Sequence, residues 1–109
     1  MSTSDAEIEQ VRELVAAIPP GRVSTYGDIA AAVGLSTPRT VAWIMRTDSA
    51  DLPWHRVLRA NGTPAPHLAH RQLAELRAEG CPMVDGRIDM RRARHTFDLR
   101  DAQRRFGET

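Results

Sequence analysis

The chain has 109 residues, of which 41% are hydrophobic and 27% charged, a composition typical of one globular domain with a single modest core. The formal net charge of +1 neither requires nor excludes a polyanionic partner, because a near-neutral total can include one basic face. No apolar run approaches the roughly 20 residues of a membrane span, and the N-terminal residues do not resemble a secretory signal. We therefore expect one cytoplasmic domain over residues 1–109.

The first third of the chain predicts two helices. Ser4 is a good N-cap, and apolar residues recur at helical spacing over residues 5–18 until Pro19 interrupts the pattern. A second helix is expected over about residues 25–33, and Gly34 is suited to end it in the left-handed conformation. The apolar stripe of this second helix is expected to face inward.

A third helix follows after a short connection. Thr37 is its predicted N-cap, Pro38 takes the first helical position, and the helix is expected to end near Arg46. Two short helices joined through residues 34–36 are typical of a helix-turn-helix, whose second helix normally enters a DNA groove. A plain helical hairpin is the alternative interpretation.

The second half of the chain alternates extended segments and turns with one longer helix. In chain order we predict a strand over residues 56–59, a turn over 60–63, a non-helical loop over 64–67, a helix over 68–79 and a hairpin over 83–88. Residues 91–109 are expected to form a basic tail, a short helix followed by a frayed end, so that the core spans about residues 5–90. The sequence thus predicts a mainly α protein with small β elements.

Three short segments carry a family resemblance: Tyr26-Gly-Asp-Ile-Ala, Pro38-Arg-Thr-Val and Pro53-Trp-His-Arg-Val. Together they resemble the C-terminal DNA-binding domain of O6-alkylguanine-DNA alkyltransferases, over about residues 5–90, which implies a winged helix-turn-helix. In that family the third segment reads Pro-Cys-His-Arg-Val, and its cysteine accepts the alkyl group. Trp54 stands there in this chain. Because an indole cannot become a thiolate, the pattern is closer to the alkyltransferase-like proteins, which bind such lesions without repairing them. Judged without the resemblance, Trp54 is interpreted as a core anchor.

The resemblance implies a DNA-binding role for residues of the second and third helices. Tyr26 would press on the target phosphate and turn its base out of the duplex, and Arg39 would fill the space that the base leaves. Thr40 is small enough for close approach of the helix to DNA. Met45 is expected to be an apolar wedge or packing residue, and Arg46 a phosphate contact. For each of these residues an ordinary packing or surface role is the alternative.

A second group of residues is expected to surround the lesion. The predicted pocket consists of Trp54, His55, Val57 and His67. In the alkyltransferases a His and a Glu relay a proton from the cysteine, and His55 and Glu79 match them. Since the thiol is missing here, we expect these two residues to stabilise the Trp54 loop. The family's Tyr-Ser-Gly-Gly lid is also absent, which implies tolerance of bulky alkyl groups.

The resemblance implies a non-enzymatic damage sensor that binds O6-alkylguanine in double-stranded DNA, flips the base and marks it for nucleotide excision repair. The implied bacterial partner is UvrA. We expect a monomer with no cofactor and no metal site. Cys81 is the only cysteine, so no disulfide forms within the chain, and a packed side chain is its favoured interpretation. The alternatives are an active alkyltransferase that uses Cys81, a helix-turn-helix transcription regulator, or a protein-interaction module with an unused DNA face.

Overall fold

The computed structural model describes residues 4–59 and 61–97. The longer elements of this part are helices and the strands are two residues each. In chain order they are α1 (Asp5–Ala16), β1 (Ser24–Thr25), α2 (Tyr26–Val33), α3 (Pro38–Thr47), β2 (Val57–Leu58), α4 (Ala69–Ala78), β3 (Met83–Val84), β4 (Arg87–Ile88) and α5 (Met90–Ala93). The predicted mainly α fold with small β elements is confirmed. No helix in the described ranges is both long and apolar enough to cross a bilayer.

The first three helices begin at or within one residue of the positions that the sequence predicts, but α1 ends at Ala16, two residues before its predicted end. Ser4 and Glu7 form a capping box at the start of α1. The Thr25 hydroxyl accepts a backbone N–H at the start of α2, and the Thr37 hydroxyl does the same at the start of α3. Gly34 ends α2 with φ of 85°, a conformation that costs glycine little. The predicted helix-turn-helix is therefore α2, this turn and α3.

Two apolar clusters form the core and meet at a pair of short parallel strands. The larger cluster joins the inward faces of α1, α2 and α3, and the smaller one joins α4 to the segments that follow it. In the parallel pair, Ser24 is opposite Val57 and Thr25 is opposite Leu58. Val57 belongs to the larger cluster and Leu58 to the smaller, because successive strand residues point to opposite faces. The strand β2 therefore connects both halves of the core.

Two local details differ from the sequence predictions. The loop over residues 64–67 was expected to be non-helical, but Pro66–Leu68 forms a 3₁₀ turn, since proline needs no N–H at a first helical position. The strand predicted over residues 56–59 is shorter, because Arg56 belongs to a 3₁₀ turn instead.

The packed core also continues beyond residue 90. Ala93 is fully buried in the smaller cluster, and Phe97 packs against the larger one. The backbone of Val23 forms a parallel bridge with Arg94. Of the predicted tail, α5 supplies one short helix, and residues 98–109 lie outside the described part of the chain.

Candidate functional site

An open cleft of about 690 Å³ lies between α3, the segment around β2 and the start of α4. It is lined by Tyr26, Ala42, Met45, Arg46, Thr47, Ser49, Ala50, Trp54, Val57, Arg59, Ala65, His67, Leu68, Arg71 and Gln72. Three of these side chains are guanidinium groups and none is a carboxylate. The cleft therefore combines an apolar wall with a positive rim, which suits a flat aromatic group attached to an anionic chain.

Trp54 is positioned on the cleft wall by the backbone that surrounds it. The backbone N–H of Trp54 donates to the Leu52 carbonyl at 2.7 Å, and the backbone N–H of Arg56 donates to the Pro53 carbonyl at 3.0 Å. These bonds close the 3₁₀ turn over Trp54–Arg56, which continues directly into β2. Because β2 is anchored in both core clusters, the indole is attached to the most buried part of the molecule.

Two charged or titratable side chains flank the half-buried indole. The guanidinium of Arg71, on α4, lies 5.1 Å from the centroid of the Trp54 ring. The His55 imidazole meets the indole edge-on, with a centroid separation of 6.1 Å and an interplanar angle of 89°. A cation over an indole is attracted by the ring quadrupole, so Arg71 restricts the ring without burying it.

The Glu79 carboxylate forms hydrogen bonds with three residues behind the Trp54 turn. The carboxylate lies 2.8 Å from the Nε2 atom of His55. It also accepts hydrogen bonds from Arg56, from Nη2 at 2.6 Å and from Nε at 3.0 Å. The backbone N–H of Gly21 donates to the same carboxylate at 3.2 Å. Arg56 also donates to the Ile18 carbonyl at 2.9 Å. One carboxylate thus ties the turn to the end of α4 and to the segment after α1.

The same contacts alter the acidity of Glu79. Hydrogen bonds from Arg56, aided by those from His55 and Gly21, lower the pKa of Glu79 from its usual 4.5 to about 2, against the opposing effect of burial. The carboxylate is therefore ionised at any physiological pH. It acts as a permanent acceptor rather than as a group that exchanges protons.

A buried glutamine supports the cleft from α4. Gln72 is 3% exposed and its amide nitrogen donates to the Val57 carbonyl at 2.9 Å and to the His55 carbonyl at 3.3 Å. These two carbonyls lie on either side of Arg56, so the amide spans the end of the 3₁₀ turn. Trp54 is consequently fixed on one side by α4 side chains and on the other by strand pairing.

The loop after α3 is tied back to α1. Arg12 donates to the Asp48 carbonyl at 2.6 Å and to the carboxylate of Asp51 at 2.6 and 3.1 Å. The hydroxyl of Ser49 donates to the Met45 carbonyl and extends the end of the helix. This pairing draws both acidic side chains toward α1, and residues between them contribute to the cleft wall.

The cleft brings together six of the residues that the sequence predicted for DNA or lesion binding: Tyr26, Met45, Arg46, Trp54, Val57 and His67. Tyr26 begins α2 and is half-buried, and this burial raises the pKa of its phenol, so the hydroxyl remains a hydrogen-bond donor. Val57 is almost fully buried and presents only an edge to the cleft.

Four predicted residues do not line the cleft. Arg39 and Thr40 lie on the first turn of α3, with Arg39 exposed. His55 was expected in the lesion pocket, but its ring turns away to pair with Glu79, since a part-buried imidazole needs a polar partner. Glu79 was expected to support the Trp54 loop, and its contacts are with that loop.

Among the cleft residues that the sequence interpretation missed are Arg59, Arg71 and Gln72. Arg71 has no local signal, because His67, four residues earlier, falls in the loop predicted over residues 64–67 and outside the helix predicted over 68–79. Arg59 and Gln72 carry no signal either, since neither their spacing nor their residue type distinguishes them from surface residues.

Cys81 lies away from the cleft, in the smaller core cluster, and is 5% exposed. Burial raises the pKa of its thiol, so the reactive thiolate is disfavoured at neutral pH. Within residues 4–59 and 61–97, no cluster of three or more His, Cys, Asp or Glu side chains is suited to hold a metal ion. No thiol lies among the described residues that line the cleft.

Comparison with protein families gives one match that covers most of the chain. Residues 7–81 match the family described as the DNA-binding domain of 6-O-methylguanine DNA methyltransferase. Among curated proteins, a DNA base-flipping protein of Escherichia coli (strain K12) is 38% identical over 104 residues, covering 89% of this chain and 80% of that protein. Alkyltransferase-like protein 1 of Schizosaccharomyces pombe is 44% identical over 57 residues, about half of each chain.

Solved structures give the same result for the fold. A crystal structure of S. pombe Atl1 in complex with damaged DNA containing O6-carboxymethylguanine superimposes with a TM-score of 0.76 and 29% identity, over 88% of this chain and all of that one. A Mycobacterium tuberculosis methyltransferase in complex with DNA superimposes with a TM-score of 0.58 and 28% identity, over 72% of this chain and 51% of that one. The similarity thus extends to repair enzymes and to their alkyltransferase-like relatives.

Proposed function

The chain belongs to the family defined by the DNA-binding domain of 6-O-methylguanine DNA methyltransferases, among its alkyltransferase-like members, and we propose that it binds O6-alkylguanine in double-stranded DNA without removing the alkyl group. It recognises the damaged base outside the duplex, in the cleft beside Trp54. The observation that carries the proposal is the indole of Trp54 on an open cleft with no carboxylate among its lining residues. The motif resemblance assigns this indole to the position of the repair enzymes' cysteine.

The cleft has the chemistry that a flipped, alkylated guanine requires. A purine is flat and aromatic, and the half-buried Trp54 offers a flat partner that is already fixed in position. The nucleotide remains attached to phosphates on both sides, and Arg46 and Arg59 provide positive charge near the opening. An added alkyl group has room because the cleft is open rather than closed over by a lid.

The same residues explain why no alkyl transfer is expected. Transfer needs a nucleophile that forms a bond to the alkyl carbon as the bond to O6 breaks, and an indole does not supply one. The remaining thiol, Cys81, is buried outside the cleft with a raised pKa. Glu79 forms an ion pair with Arg56 and a hydrogen bond with His55, and these contacts stabilise the turn and have no thiol to activate.

We assign base flipping to Tyr26 and Arg39. Tyr26 opens α2 at the cleft, where its ring can press on the phosphate of the displaced nucleotide. Arg39 is exposed on the first turn of α3, and its planar group with five donors suits the space that an extruded base leaves. Extrusion costs a few kcal/mol, so a substitute that restores stacking and hydrogen bonding lowers the cost of the flipped state.

A binding series tests the proposal. We expect tighter binding to a duplex with one O6-methylguanine than to the matched undamaged duplex, and no increase in intact protein mass after incubation with the damaged one. Arg39→Ala and Tyr26→Ala should each weaken binding to the lesion by about tenfold or more. The first removes the side chain that fills the space left by the extruded base, and the second removes the side chain that presses the nucleotide out of the duplex. A mass gain of one methyl group would establish an active alkyltransferase instead, and equal affinity for both duplexes would favour a transcription regulator.

Binding without chemistry is useful only if the complex recruits repair. We therefore extend the proposal to nucleotide excision repair, with UvrA as the partner, and to a monomer that acts in the cytoplasm. A pull-down of purified UvrA on immobilised lesion duplex, with and without this protein, tests the extension. Retention of UvrA that does not depend on this protein would leave lesion binding intact and contradict recruitment.

A further inference from the structure

Trp43, the tryptophan outside the cleft, lies on the outer face of α3 and is 44% exposed. It belongs to neither core cluster, and the inward face of the same helix is formed by Val41, Ile44 and Met45. An indole left in water is unusual, because its large apolar area is normally buried in a core or in an interface. The face of α3 around Trp43 is therefore a candidate contact surface.

The neighbours of Trp43 on this face are two arginines. At about 100° per residue, Arg39, Trp43 and Arg46 lie within roughly 60° of one another around α3 and within about 10 Å along it. Neither arginine side chain makes a hydrogen bond or an ion pair within the part of the chain that the structure describes. Arg46 also lines the cleft, so the outer face of α3 and the cleft share an edge.

The charge of this face selects an anionic occupant. The sequence of α3 contains no acidic residue. The nearest acids along the chain, Asp48 and Asp51, are both drawn toward α1 by Arg12. Two unpaired guanidinium groups beside an exposed indole suit a ligand with phosphates and stackable or apolar sugar and base edges, which describes a nucleic-acid duplex.

We propose that Trp43 is a lesion-independent DNA contact, an inference that rests on the proposed function. Its indole lies against the sugars and base edges of the groove that α3 enters, one helical turn from Arg39, and adds apolar contact between Arg39 and the phosphate-binding Arg46. Because these contacts are present at any sequence, Trp43 strengthens binding to damaged and undamaged duplexes alike. Trp43 then recognises the duplex, and Trp54 recognises the lesion.

The two tryptophans allow each contact to be observed separately. In Trp54→Phe the remaining indole is Trp43, and its emission should be quenched by an undamaged duplex. In Trp43→Phe the remaining indole is Trp54, and its emission should change with an O6-methylguanine duplex and little with the undamaged one. The anisotropy of a dye-labelled duplex reports binding independently in both variants.

Affinity measurements complete the test. Trp43→Ala should weaken binding to both duplexes by the same factor, about tenfold, as expected for loss of one stacked aromatic, and Trp43→Phe should restore most of it. Val84→Ala, at the other large exposed hydrophobic residue within the described ranges, should change neither affinity. Binding with unchanged Trp43 emission, or unchanged affinities for Trp43→Ala, overturns the inference alone and favours a partner-protein surface. Absence of binding to either duplex overturns the proposed function as well.

Discussion

The two tryptophans have opposite surroundings, although both lie close to α3. Trp54 is half-buried, contacts Arg71 with its ring face and His55 with its edge, and belongs to a turn that Glu79 and Gln72 fix from behind. Trp43 is 44% exposed on a regular helix and belongs to neither core cluster. One indole is thus fixed by tertiary contacts, and the other is presented by a helix alone.

This difference corresponds to two tasks in the proposed function. Discrimination of a modified base needs a wall that does not adapt, because a flexible wall would accept an ordinary base as readily. Contact with duplex of any sequence needs side chains that can adjust to each step of the groove, and a free arginine or indole on a helix can do so. Rigidity is therefore concentrated where the lesion is judged.

The largest effect is expected from removal of the charge that fixes the cleft. Glu79→Gln should lower the free energy of unfolding by about 3 kcal/mol at neutral pH, because Arg56 keeps its part-buried charge but loses its ionised partner. The matched control is Glu75→Gln, at an exposed residue of the same helix, which should have almost no effect. Chemical denaturation of the three proteins measures this difference.

The pH dependence of stability gives an independent readout of the same contact. The pKa of Glu79 is lower in the folded protein, about 2, than its usual 4.5, so its contribution is fully present above the usual value. That contribution is lost as pH falls from about 4.5 toward 2. The stability advantage of wild type over Glu79→Gln should therefore shrink across this window. An advantage that is constant with pH would mean that the carboxylate is not what stabilises the turn.

An intermediate effect is expected when the rigid indole itself is removed. Trp54→Ala should reduce the preference for the O6-methylguanine duplex over the undamaged one by about tenfold, because the flipped base loses its stacking partner. Affinity for the undamaged duplex should remain near that of wild type, since Trp43 and the outer arginines of α3 are unchanged. Competition binding with both duplexes measures the two quantities in one experiment.

Trp54→Phe is the control for this prediction. A smaller aromatic ring should keep part of the preference for the damaged duplex. If the loss came from packing alone, it would instead follow the loss of folding stability in the Phe and Ala variants. Thermal unfolding of both variants separates these causes. Equal loss of affinity for both duplexes in Trp54→Ala would erase the division between the two tryptophans.

The sequence predicted the helix-turn-helix well and the cleft only in part. Ser4 and Thr37 were predicted as caps because a helix end depends on residues within one turn of it. The contact of Arg12 with Asp51 joins residues 39 positions apart, and no local pattern indicates it. For the same reason Arg71 was not assigned to Trp54, although both residues are within a 20-residue stretch.

The exposure of Trp43, by contrast, could be predicted from spacing. Val41, Ile44 and Met45 define the inward face of α3, and Trp43 falls on the opposite side. Its role could not be predicted in this way, because an exposed apolar residue has meaning only beside its neighbours in space. The neighbours that matter are Arg39 and Arg46, together with the withdrawn acids after α3.

The smallest effect tests whether the cation over Trp54 contributes to rigidity. Arg71→Ala should reduce lesion affinity about threefold, in line with roughly 0.5–1 kcal/mol for a solvent-exposed cation–π contact, and affinity for undamaged duplex by less.

Arg77→Ala is the matched control, because Arg77 is also exposed on α4 but does not line the cleft. It removes the same charge, so an equal loss in both variants would assign the effect to long-range attraction of DNA. A loss confined to Arg71→Ala, together with changed emission of Trp54 in the Trp43→Phe background, would assign it to the ring. Since the two arginines lie on one helix and differ mainly in this contact, the comparison isolates how far a single guanidinium stiffens the wall that meets the damaged base.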